Sequence, residues 1–312
     1  MHPFRFGVTA SRGYSATFDA AAWPALARRV EAAGYDRFLM PDHLGSQLSP
    51  IAALATAAAV TSTLRIGSYV FANDYRHPLI LARETATLDV LSGGRVELGL
   101  GAGWKHSDYR QLGMPYERAG LRIDRMLEAL QLIRRLWSGE RVSFSGAHYQ
   151  TESARLAPIP VQQPLPPITI GGGGPRLLRI AAREADRIGL LPQFDARGRP
   201  IFAQSTEGAT EAKVKIIREA AGDRLERLEL NVLVVDCGLV GGPSPLGASA
   251  GAWLKSMAAP VVGGSPYVLY GTLERLREQL LRRRERLGIS TYIWSARHAD
   301  AMAPLVDAMA GR

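Results

Sequence analysis

The chain has 312 residues, of which 46% are hydrophobic and 21% charged, a composition typical of a folded globular protein. Its longest apolar stretches, such as 51–60, are much shorter than the roughly 20 residues that a membrane-spanning helix requires, so we expect no membrane span. The formal net charge of +9 raises the question of nucleic-acid binding. The one run of arginines, 282–284, lacks the interleaved aromatic residues of a single-strand-binding surface, and we expect no nucleic-acid partner.

The N-terminus and the cysteine content bear on the compartment. The first residues start an alternating strand pattern and carry no basic-then-apolar leader sequence. The single cysteine, Cys237, excludes an internal disulfide and a multi-cysteine metal site. It follows an apolar run, which predicts a buried, unreactive thiol. We expect a cytoplasmic protein without a metal site.

Short apolar runs alternate with amphipathic stretches along the whole chain, and the runs predict eight β-strands. Most are continuously apolar, as is usual for parallel strands that helices cover. In chain order the predicted strands are 4–9, 36–41, 65–71, 95–100, 167–171, 187–192, 230–236 and 291–295.

The stretches between the strands show helical periodicity and helix-ending residues. A first helix ends at Gly34, a residue suited to the left-handed C-terminal cap. The stretch 121–137 carries apolar residues on one face and places polar residues, including Arg122, on the opposite, solvated face. A further amphipathic stretch ends before Gly288.

Strict alternation of eight strands with helices predicts a (β/α)8 TIM barrel that forms a single domain over residues 1–312. A doubly wound open sheet is the alternative. Two segments interrupt the alternation, 141–166 and 238–268, and the first of them reads as a hairpin followed by a proline-rich connector. We expect both as insertions over the mouth at the carboxyl ends of the strands.

In such a barrel the chemistry lies where strands end and loops begin. The second predicted strand is followed by Asp42 and His43, which places an imidazole at the mouth, where it can exchange a proton near neutral pH. The alternative is that Asp42 caps the following turn and His43 only packs. The loops 73–78 and 295–298 carry no specific signal.

Glycines alternate with other residues after the fourth strand, at Gly99, Gly101 and Gly103, and would let the backbone approach a flat ligand. The spacing differs from a dinucleotide-binding fingerprint because Trp104 stands where the third glycine belongs. The acidic residue expected about 20 positions on could only be Asp124, which lies within a helix. The interpretation of this segment as a Rossmann dinucleotide-binding fingerprint therefore fails on both counts.

Four glycines, 171–174, follow the fifth strand and lead into a helix that starts at Pro175. Backbone N–H groups at a helix N-terminus form an anion site, and Arg176 would supply a counter-charge. A flexible turn is the alternative. Ordering four consecutive glycines costs conformational entropy, however, and binding of a ligand would offset that cost. The pattern favours phosphate binding at this loop.

Taken together, these features resemble the luciferase-like monooxygenase superfamily, in particular the branch that uses the deazaflavin coenzyme F420. The resemblance runs over nearly the whole chain and rests on FRFGVTAS, EAAGYDRFLMPDHLG, NDYRHPLILARETATLDVLSGGRVELGLGAGW, RIDRMLEALQLIRRLWSG, PITIGGGGPRLLRIAAREADRIGL and YGTLERLREQL. It implies a barrel whose cofactor ring lies across the mouth, with the cofactor phosphate at the loop after the fifth strand.

The resemblance also implies roles for individual residues. His43 matches the histidine that serves in proton transfer, and one of the bonds near Ser68, Tyr69 and Val70 would be a non-prolyl cis peptide. Trp104 stands where sugar-phosphate dehydrogenases of this branch carry a catalytic glutamate, which makes glucose 6-phosphate an unsuitable substrate and the pocket more apolar. The implied substrate contacts are Trp104, Leu191 and Phe194. The implied cofactor contacts are Asp42, Ser68, Tyr69, Val70, Ala102, Gly103, Ser107, Gly172, Gly173, Gly174, Arg176 and Leu177.

Three functions follow as hypotheses. The first is hydride transfer between coenzyme F420 and a fairly apolar small-molecule substrate. The second is an FMN-dependent monooxygenase that takes reduced flavin from a separate reductase and activates oxygen. The third is a cofactor-binding protein without catalysis. The resemblance further implies a homodimer.

Overall fold

The computed structural model describes residues 1–10, 19–193, 201–240 and 264–312, with only the backbone of Phe202. The strands of this part of the chain are β1 (Arg5–Thr9), β2 (Arg37–Met40), β3 (Arg65–Ser68), β4 (Phe71–Ala72), β5 (Val96–Gly101), β6 (Val142–Ser145), β7 (Gln150–Ala154), β8 (Ile168–Gly172), β9 (Arg187–Leu190), β10 (Glu229–Val234), β11 (Asp236–Leu239), β12 (Val268–Gly271) and β13 (Ile289–Ser295).

Eight of these strands close into a parallel barrel in the order β1, β2, β3, β5, β8, β9, β10, β13. The pairing of β3 with β5 and of β1 with β13 closes the circle, for example at Ile66 opposite Val96 and at Phe6 opposite Tyr292. Every predicted strand matches one barrel strand. The predicted (β/α)8 barrel is therefore confirmed, and the open sheet is not what this chain forms.

The helices surround the barrel and bury their apolar faces against it. They are α1 (Ala22–Ala32), α2 (Pro50–Ala59), α3 (Pro78–Ser92), α4 (His106–Gln111), α5 (Ala119–Trp137), α6 (Pro175–Glu184), α7 (Glu207–Ala221), α8 (Leu273–Leu287) and α9 (Ala299–Met309). Gly34 and Gly288 adopt the left-handed conformation just beyond α1 and α8, as the sequence predicts.

Two elements differ from the sequence-based prediction. The predicted strand 65–71 is two strands, β3 and β4, which are separated by a cis peptide bond between Tyr69 and Val70. Arg122, which we expected on the solvated face of its helix, is only 5% exposed. Its side chain lies against the rings of Tyr116 and Tyr109, because the loop after α4 covers this end of α5.

The first predicted insertion contains the expected hairpin, in which β6 and β7 pair antiparallel. It packs beside α5, where the Glu128 carboxylate accepts hydrogen bonds from the backbone N–H groups of residues 147–149. Tyr149 accepts a hydrogen bond from Asn73 in the loop after β4. None of the hairpin residues lines the cavity described below. Most of the second insertion, 241–263, lies outside the described residues. Cys237 is fully buried, and burial raises the pKa of its thiol, as expected of an unreactive cysteine.

A layer of buried charge fills the amino-terminal end of the barrel interior. Arg37 on β2 binds Glu229 on β10 at 2.6 Å and Glu97 on β5 at 3.2 Å. Arg187 on β9 binds the same two carboxylates at 3.4 Å and 2.9 Å. Thr291 on β13 donates a further hydrogen bond to Glu229. The layer links five barrel strands and leaves the opposite end of the interior for the cavity.

Replacing Glu229 by Gln removes one carboxylate from this layer and leaves Arg187 and Arg37 to share Glu97, with the half-buried Asp36 as a further partner of Arg37 at 3.1 Å. We expect the free energy of unfolding, measured by urea denaturation at neutral pH, to fall by about 3–5 kcal/mol, the cost of an uncompensated buried charge. The matched control is Glu219→Gln on α7, because Glu219 and its partner Lys215 are exposed and lie 4.0 Å apart. That substitution should cost less than about 0.5 kcal/mol. Equal losses from the two changes would contradict this role of the layer.

The same carboxylate predicts a dependence of stability on pH. Burial alone would raise the pKa of Glu229, but the charges of Arg37 and Arg187 outweigh burial and hold it well below its ordinary value. The contribution of this carboxylate to stability is complete above the unfolded-state pKa of about 4.3 and declines as the pH falls below it toward the folded-state pKa. Wild-type stability should therefore fall more steeply on acidification than that of Glu229→Gln. If the urea midpoints of the wild type and of Glu229→Gln fell equally with pH across this acidic range, the carboxylate would have no such effect.

Candidate active site

A cavity of about 470 Å³ opens at the carboxyl ends of the barrel strands. Loops after β2, β4, β5, β8 and β9 contribute to its wall, together with the first turns of α5 and α6. Its floor is apolar: Tyr69 packs there with Leu39 and Ile293, flanked by Val70, Leu191 and Leu233.

The structure brings most of the predicted site residues together in this wall. They are Asp42, His43, Tyr69, Val70, Ala102, Gly103, Trp104, Gly172, Gly173, Gly174, Arg176, Leu177 and Leu191. Ser68 and Ser107 are not among the lining residues. Ser68 is buried and donates to the carbonyl oxygen of Met40 at 2.8 Å, whereas Ser107 lies in the first turn of α4. Phe194 lies outside the described residues.

His43 is held at the cavity wall by a carboxylate that the sequence analysis did not assign. Its Nδ1 lies 2.8 Å from Oδ2 of Asp108, and Asp108 is fully buried. Lys105 binds the other carboxylate oxygen at 2.7 Å. Burial by itself would raise the pKa of Asp108, but the hydrogen bonds from Lys105 and His43 outweigh it and lower this pKa. Asp108 is therefore a charged acceptor at neutral pH.

A charged acceptor at Nδ1 determines which nitrogen of His43 exchanges a proton. Because Asp108 accepts only, Nδ1 carries a hydrogen and Nε2 of the neutral ring carries the lone pair. Nε2 makes no hydrogen bond to any described residue, and the ring is edge-on to Trp104 at a centroid distance of 5.5 Å. His43 can thus accept a proton at Nε2, and the Asp108 carboxylate then stabilises the positive charge of the ring.

Asp42 lines the cavity, yet its carboxylate is already bound within the protein. Arg76 donates to both oxygens, at 2.6 Å and 3.0 Å, and the backbone N–H of Ala72 donates at 3.0 Å. These contacts tie the loop after β2 to the loop after β4. No sequence signal pointed to Arg76, because 34 residues separate it from Asp42.

Packing requires the alternating glycines at the end of β5, which is a reason that the sequence did not show. A Cβ atom at Gly101 would lie 2.6 Å from Cγ2 of Val70, and one at Gly99 would lie 3.1 Å from Cγ1 of Val70 and collide with the carbonyl oxygen of Ser68. These two glycines let the segment Ser68–Val70 pack closely against β5, and Gly101 also lines the cavity. Gly103 has a φ of +76°, which favours glycine.

Packing also explains most of the glycine loop after β8. A Cβ atom at Gly172 would collide with Leu177, one at Gly173 with the carbonyl oxygen of Leu191, and one at Gly171 would lie 3.3 Å from Val70. Around Gly174 the space is open. Gly174 is the N-cap of α6 and provides no side-chain cap, so the first N–H groups of this helix are available to a ligand in the cavity.

Residues 1–217 match the luciferase-like monooxygenase family, and the chain belongs to that family of oxidoreductases. An F420-dependent hydroxymycolic acid dehydrogenase of Mycobacterium tuberculosis is 29% identical over 270 residues, which are 80% of this chain and 74% of that protein. An F420-dependent glucose-6-phosphate dehydrogenase of Beutenbergia cavernae is 36% identical over 191 residues, or 58% of this chain. The match spans 55% of that relative's length.

Solved structures share the fold over nearly the whole chain. A coenzyme F420-dependent tetrahydromethanopterin reductase from Methanopyrus kandleri superposes with a TM-score of 0.76 at 18% identity, covering 98% of this chain and 99% of that one. The long-chain alkane monooxygenase LadA reaches the same TM-score at 16% identity, with 99% and 92% coverage. At these identities the likeness concerns the fold alone.

Within the described residues, no helix has the length and apolarity needed to cross a membrane.

Replacing Asp108 by Asn should change the tautomer of His43. The amide group can donate to Nδ1, so the hydrogen of the neutral ring should move to Nε2. Nitrogen NMR shifts of His43 at mildly alkaline pH report this directly. Asp124→Asn serves as a control, because Asp124 pairs with Arg176 at the same cavity and should leave the tautomer unchanged. An Nδ1–H tautomer that persists in Asp108→Asn would contradict the assignment.

Proposed function

We propose that this protein transfers a hydride between coenzyme F420 and a fairly apolar organic molecule that carries a hydroxyl or carbonyl group. The observation that carries the proposal is the His43–Asp108 pair, which lies in the wall of an apolar cavity that also contains the N-terminus of α6. The relatives support this cofactor, since the two dehydrogenases named above are both F420-dependent.

The residues of the cavity suit a flat cofactor that bears a phosphate. The open space at Gly174 and the uncapped first turn of α6 offer backbone N–H groups to an anion. Gly103, Val70 and Leu177 present small or apolar surfaces that can lie against a ring and its side chain. When bound, the deazaflavin supplies a ring carbon that accepts or donates a hydride.

His43 has the proton-transfer role in this proposal. In the oxidative direction the substrate hydroxyl gives its proton to Nε2 as the hydride leaves the carbon, and the C–O bond becomes a carbonyl. Asp108 stabilises the resulting imidazolium through Nδ1 at 2.8 Å, and in the reverse direction the same Nε2–H returns the proton.

The lining favours an apolar substrate. Trp104, Leu191, Leu233 and Ile123 contribute apolar surface. No carboxylate occupies position 104, where the sugar-phosphate dehydrogenases of this branch carry a glutamate. We therefore expect secondary alcohols and ketones with apolar chains to react, and sugar phosphates not to. A second enzyme would return the coenzyme to its starting redox state.

The test measures turnover by the change in deazaflavin absorbance. The substrates are apolar secondary alcohols of increasing chain length and the corresponding ketones, and glucose 6-phosphate is the comparison. We expect turnover with the apolar series only. Oxygen consumption that depends on reduced FMN, without any deazaflavin turnover, would instead establish the monooxygenase alternative.

Replacing His43 by Gln should reduce kcat by about 10²- to 10⁴-fold, the usual contribution of a positioned acid or base, and leave coenzyme binding nearly unchanged. His77→Gln is a matched control, because His77 caps α3 and lies outside the cavity lining. Full turnover in His43→Gln would rule out this role, and loss of coenzyme binding would indicate that His43 shapes the site and does not move the proton.

A further inference from the structure

Three cationic side chains line the described part of the cavity, and two of them are paired with carboxylates. Lys105 binds Asp108 at 2.7 Å. Arg176 binds Asp124 and donates to the carbonyl oxygen of Gly120, and it is about half exposed. The charge of Arg176 is therefore already balanced at the surface, which leaves it less suited to the counter-charge role that the sequence suggested.

The third cation, Arg122, is in the opposite situation. It lies in the second turn of α5 and is 5% exposed. Its Nε and Nη1 are buried without a hydrogen-bond partner, and it forms no ion pair with a carboxylate of the described residues. Its guanidinium group lies 4.0 Å from the ring centroid of Tyr116 and 5.7 Å from that of Tyr109.

The aromatic rings alone compensate this charge incompletely. The attraction of a cation to a tyrosine face is much smaller than the free-energy cost of burying a cation without an anion or hydrogen-bond acceptors. The two rings hold the guanidinium group in place, because α4 carries Tyr109, whose hydroxyl donates to Asp74, and the loop after α4 carries Tyr116, whose hydroxyl donates to the carbonyl oxygen of Trp104. Arg122 is therefore a preorganised cation that lacks an anion among its described neighbours.

Arg122 lies in the same wall as the free N-terminus of α6. The first turns of α5 and α6 touch, since Arg176 of α6 donates to Gly120 of α5 at 3.0 Å. Ala119 and Ile123 of α5 line the cavity together with Gly174 and Leu177. The backbone N–H groups of one helix and the unpaired guanidinium of the other thus lie at one end of a single cavity.

We infer that Arg122 is the counter-charge for the phosphate group of the cofactor, which it binds together with the N–H groups at the start of α6. This inference rests on the proposed function, and it assigns to Arg122 the role that the sequence analysis gave to Arg176. A guanidinium held against two rings, with Nε and Nη1 unpaired, has N–H donors left for phosphate oxygens.

The test compares three ligands by fluorescence-quenching titration of the purified protein. These are the phosphate-free deazaflavin riboside, the form that carries the phosphate but lacks the glutamate tail, and full coenzyme F420. We expect Arg122→Gln to raise Kd for both phosphate-bearing ligands by about tenfold to a hundredfold and to leave Kd for the riboside within about threefold. Arg122→Lys should fall between, because it keeps the charge and loses the planar fork.

Controls separate this role from a structural one. Arg135→Gln removes an exposed arginine from the same helix, outside the cavity lining, and should leave all three Kd values unchanged. Retained riboside binding in Arg122→Gln shows that the cavity is still folded. Equal loss for riboside and phosphate-bearing ligands would overturn the inference in favour of a role in packing the two tyrosines.

The remaining outcomes are also decisive. If Arg122→Gln raised Kd only for full coenzyme F420, which carries the glutamate tail, the phosphate would not be the partner of Arg122 and the inference would be overturned. Unchanged Kd values for all ligands would overturn the inference and leave the proposed function intact. If the wild-type protein bound none of the three, the proposed function itself would fail, and the inference with it.

Discussion

The buried layer of two arginines and two glutamates at the amino-terminal end of the barrel is the contact on which the rest of the structure depends. Arg37, Glu97, Arg187 and Glu229 come from four different strands and satisfy one another across the barrel axis. Because each charge has partners on both sides, the layer fixes the register of strands that are far apart in sequence. It also fills one end of the interior, so that a ligand can enter only from the other.

From this layer toward the carboxyl ends of the strands, the charged side chains of the barrel interior are followed by apolar ones and then by the polar and ionisable groups of the cavity. Tyr69 donates to Asn231 at 2.6 Å, and together with Leu39 and Ile293 it separates the ion layer from the cavity. At the mouth the charged groups fall into two kinds. His43 has its partner within the protein, which suits a group that moves a proton, whereas Arg122 lacks one among the described residues, which suits a group that holds an anion.

Much of the fold could be predicted from sequence, because the strand and helix periodicities are local and a barrel follows from their alternation. The resemblance implied a cis peptide near Ser68–Val70, but the β-rich pattern of 65–71 alone could not show that the strand divides there or which bond is cis. The glycine pattern has a second reason that the sequence could not show. Gly99 and Gly101 are required by Ser68 and Val70 at the end of the preceding barrel strand, β3, a contact that only the folded barrel creates.

The site was predictable where a residue follows directly from a strand end, as for His43 and Gly174. Partners were not, because they come from distant parts of the chain: Asp108 lies 65 residues from His43. Helical periodicity placed Arg122 on the solvated face because an amphipathic pattern cannot show that the preceding loop, which carries Tyr116, covers that face. Ser68 and Ser107, implied by resemblance, lie outside the cavity lining, since neighbouring positions on a strand or helix point in different directions.

The central claim is that this cavity binds a deazaflavin and not a flavin. It is tested most directly by titrating the purified protein with oxidised coenzyme F420 and, separately, with FMN, and following fluorescence quenching under the same buffer conditions. The account predicts saturable binding of F420 with a dissociation constant well below that of FMN. Tight binding of FMN with no measurable binding of F420 would contradict it.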